Sequence, residues 1–283
     1  MNYLHSFHAG NHADVLKHTV LLYLINHLKR KPKPFFVLDT HAGRGQYLIQ
    51  GEQANKTGEA LQGIFKLIVL KKLPEYLNYY LKQVERVNPV GSLFNYPGSP
   101  VLIAQQLREQ DRLHCYETQK GEFDLLKQMF AHDKNVSTYH SDGYQGLKAL
   151  LPPKERRGLV MIDPPYEAQE QEFNHILAAL EQGLLRWPTG QYAIWYPIKQ
   201  GGSLLSFFRK AALLNCKSIL LLEVLIRPDN SPLRMNGSGM MIINPPFEMD
   251  IDLKDSLFEM SRLMDDGGSN YSIRWLKVEN APT

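Results

Sequence analysis

The chain has 283 residues, 43% hydrophobic and 22% charged, enough for one large domain or two small ones, and this composition excludes wholesale disorder. Its net charge of +3 permits a nucleic-acid partner without demanding one. Two cysteines make no disulfide framework, no apolar run reaches the length of a membrane span, and "MNYLHSFHAGNHADVLKH" lacks the apolar core of a signal peptide, so a reduced, cytoplasmic, soluble protein is expected.

In chain order, residues 14–30 read as one amphipathic helix with Asp14 as N-cap and a basic end. "PFFVLDT" (34–40) reads as the first strand. Residues 48–97 are too long for a simple strand-to-helix loop and look helical and basic, so a small helical insertion is expected there. The domain division is then 1–47 with 98–283, interrupted by 48–97. "YPGSPVLIAQQLRE" places Ser99 as a helix N-cap with Pro100 in the first turn. Strand-like runs follow at 112–118, 135–141, 158–163, 191–197, 218–226 and 239–244, with helical patterns at 124–132, 172–185 and 204–214. Continuous apolar strands alternating with helices predict an α/β fold with a mainly parallel sheet. Seven strands with a late hairpin-like pair suit a Rossmann-like sheet of the class I methyltransferase kind.

Ligands of such sheets bind at the carboxyl ends of the strands. After the first strand comes "DTHAGRGQY", where Gly43 and Gly45 let the backbone pass close to a ligand and His41 stands where a further glycine is usual. The second strand ends at Glu117, an acceptor for ribose hydroxyls. The third is followed by Asp142 and Gly143, an acceptor for an adenine amino group beside a residue that lets the ring lie close. The fourth ends in Asp163, Pro164, Pro165 and Tyr166. A glycine turn, a lone acid or an Asp-Gly pair each occurs in ordinary loops. Their order is the one an S-adenosylmethionine enzyme needs.

The DPPY group suits methylation of an adenine N6. That nitrogen is a poor nucleophile because its lone pair is delocalised into the ring. Asp163 and the carbonyl of Pro164 can hold both amino hydrogens and favour a pyramidal nitrogen, and Pro-Pro leaves no N–H to compete. Tyr166 offers a face for a flipped-out base. Asp163 is also the nearest acceptor for the proton the nitrogen sheds. "NPPF" at 244–247 has the same chemistry on paper, but follows what reads as the last strand.

"YLHSFHAGNHADVLKHTV", "LDTHAGRGQY", "TGE", "YPGSP", "ALLPPKERRGL", "DPPYE", "WYPI" and "SGMMIINPPF" together span most of the chain and resemble the RlmJ family of bacterial 23S ribosomal RNA adenine-N6 methyltransferases. The resemblance implies S-adenosylmethionine as cofactor, one adenine of 23S rRNA as target, and a monomer that works without a metal. By position it implies that Asp163 is the catalytic acid–base residue. It further implies that His18, His41, Ser99, Glu117, Asp142, Gly143 and Asp163 contact the cofactor, with Tyr3, His5 and Lys17 toward the RNA. Lys71 and Lys72 of the insertion are candidates for phosphate contacts. Other readings stand beside this one: a DNA adenine methyltransferase, a protein-glutamine methyltransferase served by NPPF, or a non-catalytic RNA-binding relic. His5, His8 and His12, spaced three and four apart, could hold a metal if helical, although Gly10 interrupts that helix.

Overall fold

Phe36–Asp39, with all four residues buried, form the central strand β1 of the computed structural model, which describes residues 8–49, 59–199, 204–228, 230–232 and 235–279. The other strands are β2 (Gln46–Leu48), β3 (Asn95–Pro97), β4 (Arg112–Glu117), β5 (Val136–His140), β6 (Gly158–Ile162), β7 (Gln191–Ile198), β8 (Ile219–Leu225), β9 (Gly237–Ile243) and β10 (Asn270–Lys277). The main sheet has the order β10-β8-β9-β7-β6-β1-β4-β5, and β2 with β3 makes a separate ribbon. From β7 to β5 all pairings are parallel, whereas β9 runs antiparallel to both β7 and β8. The chain moves outward from β1 to β5 and then returns to β6 on the other side of β1, which creates a topological switch point between β1 and β6.

The α/β, Rossmann-like sheet is the one the sequence predicts, with two differences. β10 was not foreseen: none of its side chains is fully buried, so it lacks the continuous apolar run that marks the others. It is β10, antiparallel to β8, that closes the edge; β9 lies inside the sheet.

The helices are α1 (His12–Lys29), α2 (Ile64–Ile68), α3 (Glu75–Glu85), α4 (Ser99–Ala104), α5 (Lys120–Met129), α6 (Gly143–Leu150), α7 (Gln169–Arg186), α8 (Leu205–Ala212), α9 (Met249–Asp252) and α10 (Lys254–Leu263), with a 3-10 turn at Glu59–Gln62. Every residue of α1 from His12 to Ile25 is buried, so it is not the surface helix its amphipathic reading implied. One side lies over β6 and β9, and α3 and α4 pack against it elsewhere. Ile64, Leu67, Leu77 and Tyr80 join the hydrophobic cluster that contains Val20, Leu24 and Ile242. A second cluster, on the opposite face of the sheet, is built from α6, α7 and α8 around Ile162, Ile176 and Phe207.

The start of α1 also corrects an expectation. Asn11, not Asp14, is the N-cap, and its side chain accepts from the Asp14 N–H at 3.0 Å. Gly10 precedes it with φ +78, a left-handed value that ends any helix through His5, His8 and His12. Asn11 Nδ2 also donates to Glu59 at 2.9 Å, tying the 3-10 turn to the helix start. Ser99 is likewise not a cap: Gly98 caps α4, and Ser99 is its first residue. Replacing Asn11 by alanine should lower stability by about 1–2 kcal/mol, the usual worth of a cap. A urea midpoint equal to that of the parent would show that the cap contributes nothing.

Candidate active site

A cavity of about 390 Å³ opens at the carboxyl ends of β1, β4 and β6, beside the switch point. Lys17, His18, His41, Gly43, Ser99, Glu117, Asp142, Asp163 and Pro164 all line it, so residues far apart in sequence converge there. Gly143 lies just behind the wall, as the first residue of α6. A Cβ on it would come within 2.0 Å of the Thr40 carbonyl oxygen, so packing of α6 onto the β1 turn requires a glycine here.

Lys17 connects α1 to the end of β6. Its Nζ lies 2.5 Å from Asp163 Oδ2 and 2.8 Å from Asp14 Oδ1. Burial alone would push the lysine pKa down, but the two carboxylates outweigh it and hold the group well above its ordinary value. Lys17 is therefore a fixed cation between two anions. Asp14 is itself held by the Gly10 N–H at 2.9 Å. The acid expected as a helix cap is instead the inner member of a buried charge triad.

A second cavity, about 160 Å³, adjoins the first. Lys17, Asp163, Pro164 and Pro165 line both, and Asp14, Tyr166, Trp195 and Pro197 are among the other residues of the second. Tyr166 does not offer the open aromatic face expected of it. It is 4% exposed, its ring meets Phe173 and Trp195 edge-on, and its hydroxyl donates to the Trp195 carbonyl oxygen at 2.5 Å. Trp195 Nε1 is buried with no hydrogen-bond partner among the described residues.

Around the larger cavity, hydrogen bonds fix the polar groups. Glu117 accepts from the N–H groups of Gly43 and Gln119, at 2.9 and 2.7 Å, which ties the glycine turn to the end of β4. Ser99 Oγ donates to Asp39 Oδ2 at 2.6 Å, and the His41 N–H reaches Asp39 Oδ1 at 3.3 Å. The Thr40 hydroxyl donates to the Met161 carbonyl at 2.9 Å. Its oxygen is then the acceptor for His41 Nδ1, 2.8 Å away, so His41 carries its proton on Nδ1. Burial pushes the His41 pKa down, which favours the neutral ring.

His18 is oriented by two buried tyrosines. Tyr80 of α3 lies 2.9 Å from the Tyr96 hydroxyl, which lies 2.7 Å from His18 Nδ1. Tyr96 is the only hydrogen-bond partner of Tyr80 among the described residues, so Tyr80 donates; otherwise a buried hydroxyl proton would go unpaired. Tyr96 then donates to His18 Nδ1, and the His18 proton sits on Nε2.

NPPF occupies the other end of the sheet. Because β9 is antiparallel to β7, with Ile243 opposite Tyr192, Asn244 emerges at the amino ends of the parallel strands. Its Nδ2 donates to the carbonyls of Pro188 and Gly190 at 2.9 and 2.8 Å, fastening the turn before β7. His8 pairs with Glu59 at 2.9 Å, and no cluster of three or more potential metal ligands occurs among the described residues. Tyr3 and His5 lie outside the described residues. Sequence reasoning missed Asp14, Trp195, Tyr144 and Glu172; the last two, joined at 2.6 Å, line the larger cavity. Only "WYPI", the second half of the β7 run, could have pointed to Trp195.

Two measurements test this geometry. Burial raises the Asp39 carboxyl from 3.8 to about 6, against the opposing bonds from Ser99 and His41. Between those values the folded protein keeps a proton that the unfolded chain releases, so Asp39 opposes folding increasingly from about pH 4 to 6 and fully above. Asp39→Asn should therefore gain on the parent by up to roughly 3 kcal/mol between pH 4 and pH 7.5. An unchanged difference in urea unfolding at the two pH values would contradict it. Tyr96→Phe should move the His18 ring ¹⁵N shifts away from the Nε2–H pattern and weaken binding of S-adenosylhomocysteine about tenfold, the scale of one lost hydrogen bond to a site residue. Unaltered ring shifts would remove the tyrosines from the site.

A family model described as ribosomal RNA large subunit methyltransferase D, RlmJ, matches residues 32–277. The chain is 41% identical over 281 residues to the ribosomal RNA large subunit methyltransferase J of Haemophilus influenzae, covering 99% of this chain and all of that protein. It is 40% identical over 280 residues to the Escherichia coli protein of the same name, with the same coverage. A crystal structure of a Legionella pneumophila protein superposes with a TM-score of 0.86 at 35% identity, covering 94% of this chain and 98% of that one. With whole-length similarity, a matching family model and the DPPY motif at the switch point, this chain belongs to the RlmJ family of ribosomal RNA large subunit methyltransferases.

Proposed function

We propose that the chain transfers the methyl group of S-adenosylmethionine to the N6 amino group of one adenine in 23S ribosomal RNA. The observation that carries the reading is the place of Asp163, Pro164 and Pro165. Together with Lys17 they line both cavities, so a donor held in the larger and a base held in the smaller meet at Asp163. In this reading the enzyme works as a monomer and belongs in the cytoplasm with its RNA.

The larger cavity fits the cofactor by its donor set. Glu117 faces it from the end of β4 as the acceptor for ribose hydroxyls, and Asp142 is the acceptor for the adenine amine. Gly43 keeps the turn close, with Gly143 behind. His18 and Ser99 lie toward the methionine part, and His41 closes the wall. Bound there, S-adenosylmethionine supplies an electrophilic methyl group on a cationic sulfur. Asp14, Lys17 and Asp163 sum to one negative charge, which favours that cation.

The protein's own part is positioning and proton handling. Lys17 occupies Asp163 Oδ2 and leaves Oδ1 for the substrate. That oxygen accepts one hydrogen of the adenine amine and the Pro164 carbonyl accepts the other. Methylated nitrogen is strongly acidic, so a carboxylate suffices to take the proton at Oδ1. Tyr166 and Trp195 wall the base pocket, and Tyr3 and His5 approach the RNA from the amino-terminal segment. Residues 48–97 act as an insertion in the catalytic domain formed by 1–47 and 98–283. In this reading Lys71 and Lys72, both exposed, meet phosphates of the flanking RNA.

The deciding experiment is transfer from labelled cofactor to 23S rRNA fragments, DNA and protein in parallel, with the product base identified. Label on N6 of adenine in the RNA alone is expected. Asp163→Ala should reduce the rate at least 10²–10⁴-fold, while Asn244→Ala keeps the greater part of the activity in a protein whose folding is verified. The opposite pattern would move the active site to NPPF.

A further inference from the structure

The most concentrated positive charge on the described surface lies at the amino ends of the strands, away from the catalytic cavities. Lys29 and Arg30 end α1, and Lys31 and Lys33 follow in the link to β1. Arg157 precedes β6, and Arg108 precedes β4. Buried Asp111 takes up the charge of Arg108. The other five form no salt bridge with any described residue.

The link is held rigidly and in the open. Pro32 and Pro34 fix their own backbone angles and bias Lys31 and Lys33 toward extended conformations. Arg108 donates to the carbonyls of Lys31 and Lys33, both at 2.9 Å. Arg157 donates to the carbonyl of Lys33 at 3.0 Å and to that of Leu28 at 2.9 Å. Two guanidinium groups thus hold down a loop that is itself cationic. The crowding has a cost: besides burial, Arg108 depresses the pKa of both Lys29 and Arg157, and Arg86 of α3 adds to it at Lys29. The side chains of Arg30, Lys31 and Lys33 are exposed and contribute nothing to the core. Cationic side chains presented by a braced, exposed loop fit a polyanion.

We infer that this patch is a second RNA-contact surface that binds the phosphate backbone of 23S rRNA at a distance from the target adenine. The inference rests on the rRNA reading above. α1 sets the spacing: Lys17 at the active site and Arg30 at the patch are thirteen residues apart on one straight element, roughly 20 Å at 1.5 Å per residue. A short hairpin lodged at Asp163 ends before the patch, whereas a longer fragment folded around the protein reaches it. Recognition there is of phosphate spacing and not of bases, so it adds affinity without sequence information.

The test is the triple variant Arg30→Gln, Lys31→Gln, Lys33→Gln, which spares the backbone carbonyls that the two arginines hold. It is compared with the parent on a short hairpin bearing the target adenine and on a long 23S fragment. The variant should bind the long fragment about tenfold more weakly, with the slope of log affinity against log salt reduced by about two to three. Its kcat/KM on the hairpin should equal the parent's. Equal affinity and equal slope on the long fragment would overturn the inference and leave the patch to an acidic protein. An equal loss on both RNAs would overturn it too, because the contact would then not be distant. If the parent protein methylated neither RNA, the functional reading itself would fall, a result the binding measurements keep separate.

Discussion

The buried ion triad of Asp14, Lys17 and Asp163 sets the terms for the rest of the molecule. Lys17 and Asp14 are buried and Asp163 is half-buried, and loss of one partner leaves a charge the interior cannot solvate. Lys17 and Asp14 come from the first turns of α1, and Asp163 from the end of β6. The pairing therefore specifies how α1 lies on the sheet. A one-residue rotation of the helix would bury an unpaired ammonium against Ile and Leu side chains. Hydrophobic contact gives α1 its affinity for the sheet; the charges give it its register.

Once α1 is placed, other features follow from it. Its inner side covers β6 and β9, and its outer side is available to α3. That packing brings Tyr80 to Tyr96 and Tyr96 to His18, so a helix lying between β1 and β4 in sequence helps to determine which ring nitrogen of an α1 histidine carries the proton. The carboxyl ends of β1 and β4 are joined in a similar way, by Glu117 accepting from the Gly43 N–H. Tyr96 accepts from one neighbour and donates to the next, so its contacts are not replaceable one at a time.

The parts that were legible in the sequence are those with a local signature. Buried parallel strands announce themselves as unbroken apolar runs, and the residues that follow them fall at one end of the sheet whatever the loops do. This is why His41, Glu117, Asp142 and Asp163 could be named without coordinates. Other features have no local signature. β10 has no fully buried side chain and reads as ordinary polar chain. Asp14 looks like a cap because a helix-starting acid usually is one; it pairs with Lys17 three residues on, and the second carboxylate that Lys17 meets lies 149 residues from Asp14 in "DPPY". Tyr166 could be placed beside Asp163, but not the neighbours that cover its ring, since Trp195 arrives from a different strand. Sequence spacing reports what happens within an element, and burial is decided between elements.

The antiparallel course of β9 has a consequence for how such proteins are compared. A strand has a polarity, and its terminal residues inherit it. Two tetrapeptides of nearly equal composition, DPPY and NPPF, leave the same sheet in opposite directions, and one lines two cavities while the other is a fastener. Chemical similarity between short motifs is thus a scalar quantity, whereas the capacity to meet a ligand is vectorial. In any mixed sheet, duplication of a strand-end motif by itself creates no second centre; reversal of a strand would be needed as well. That is a topological change which point substitution cannot supply, so the spare copy is free to drift toward whatever its own end of the sheet requires.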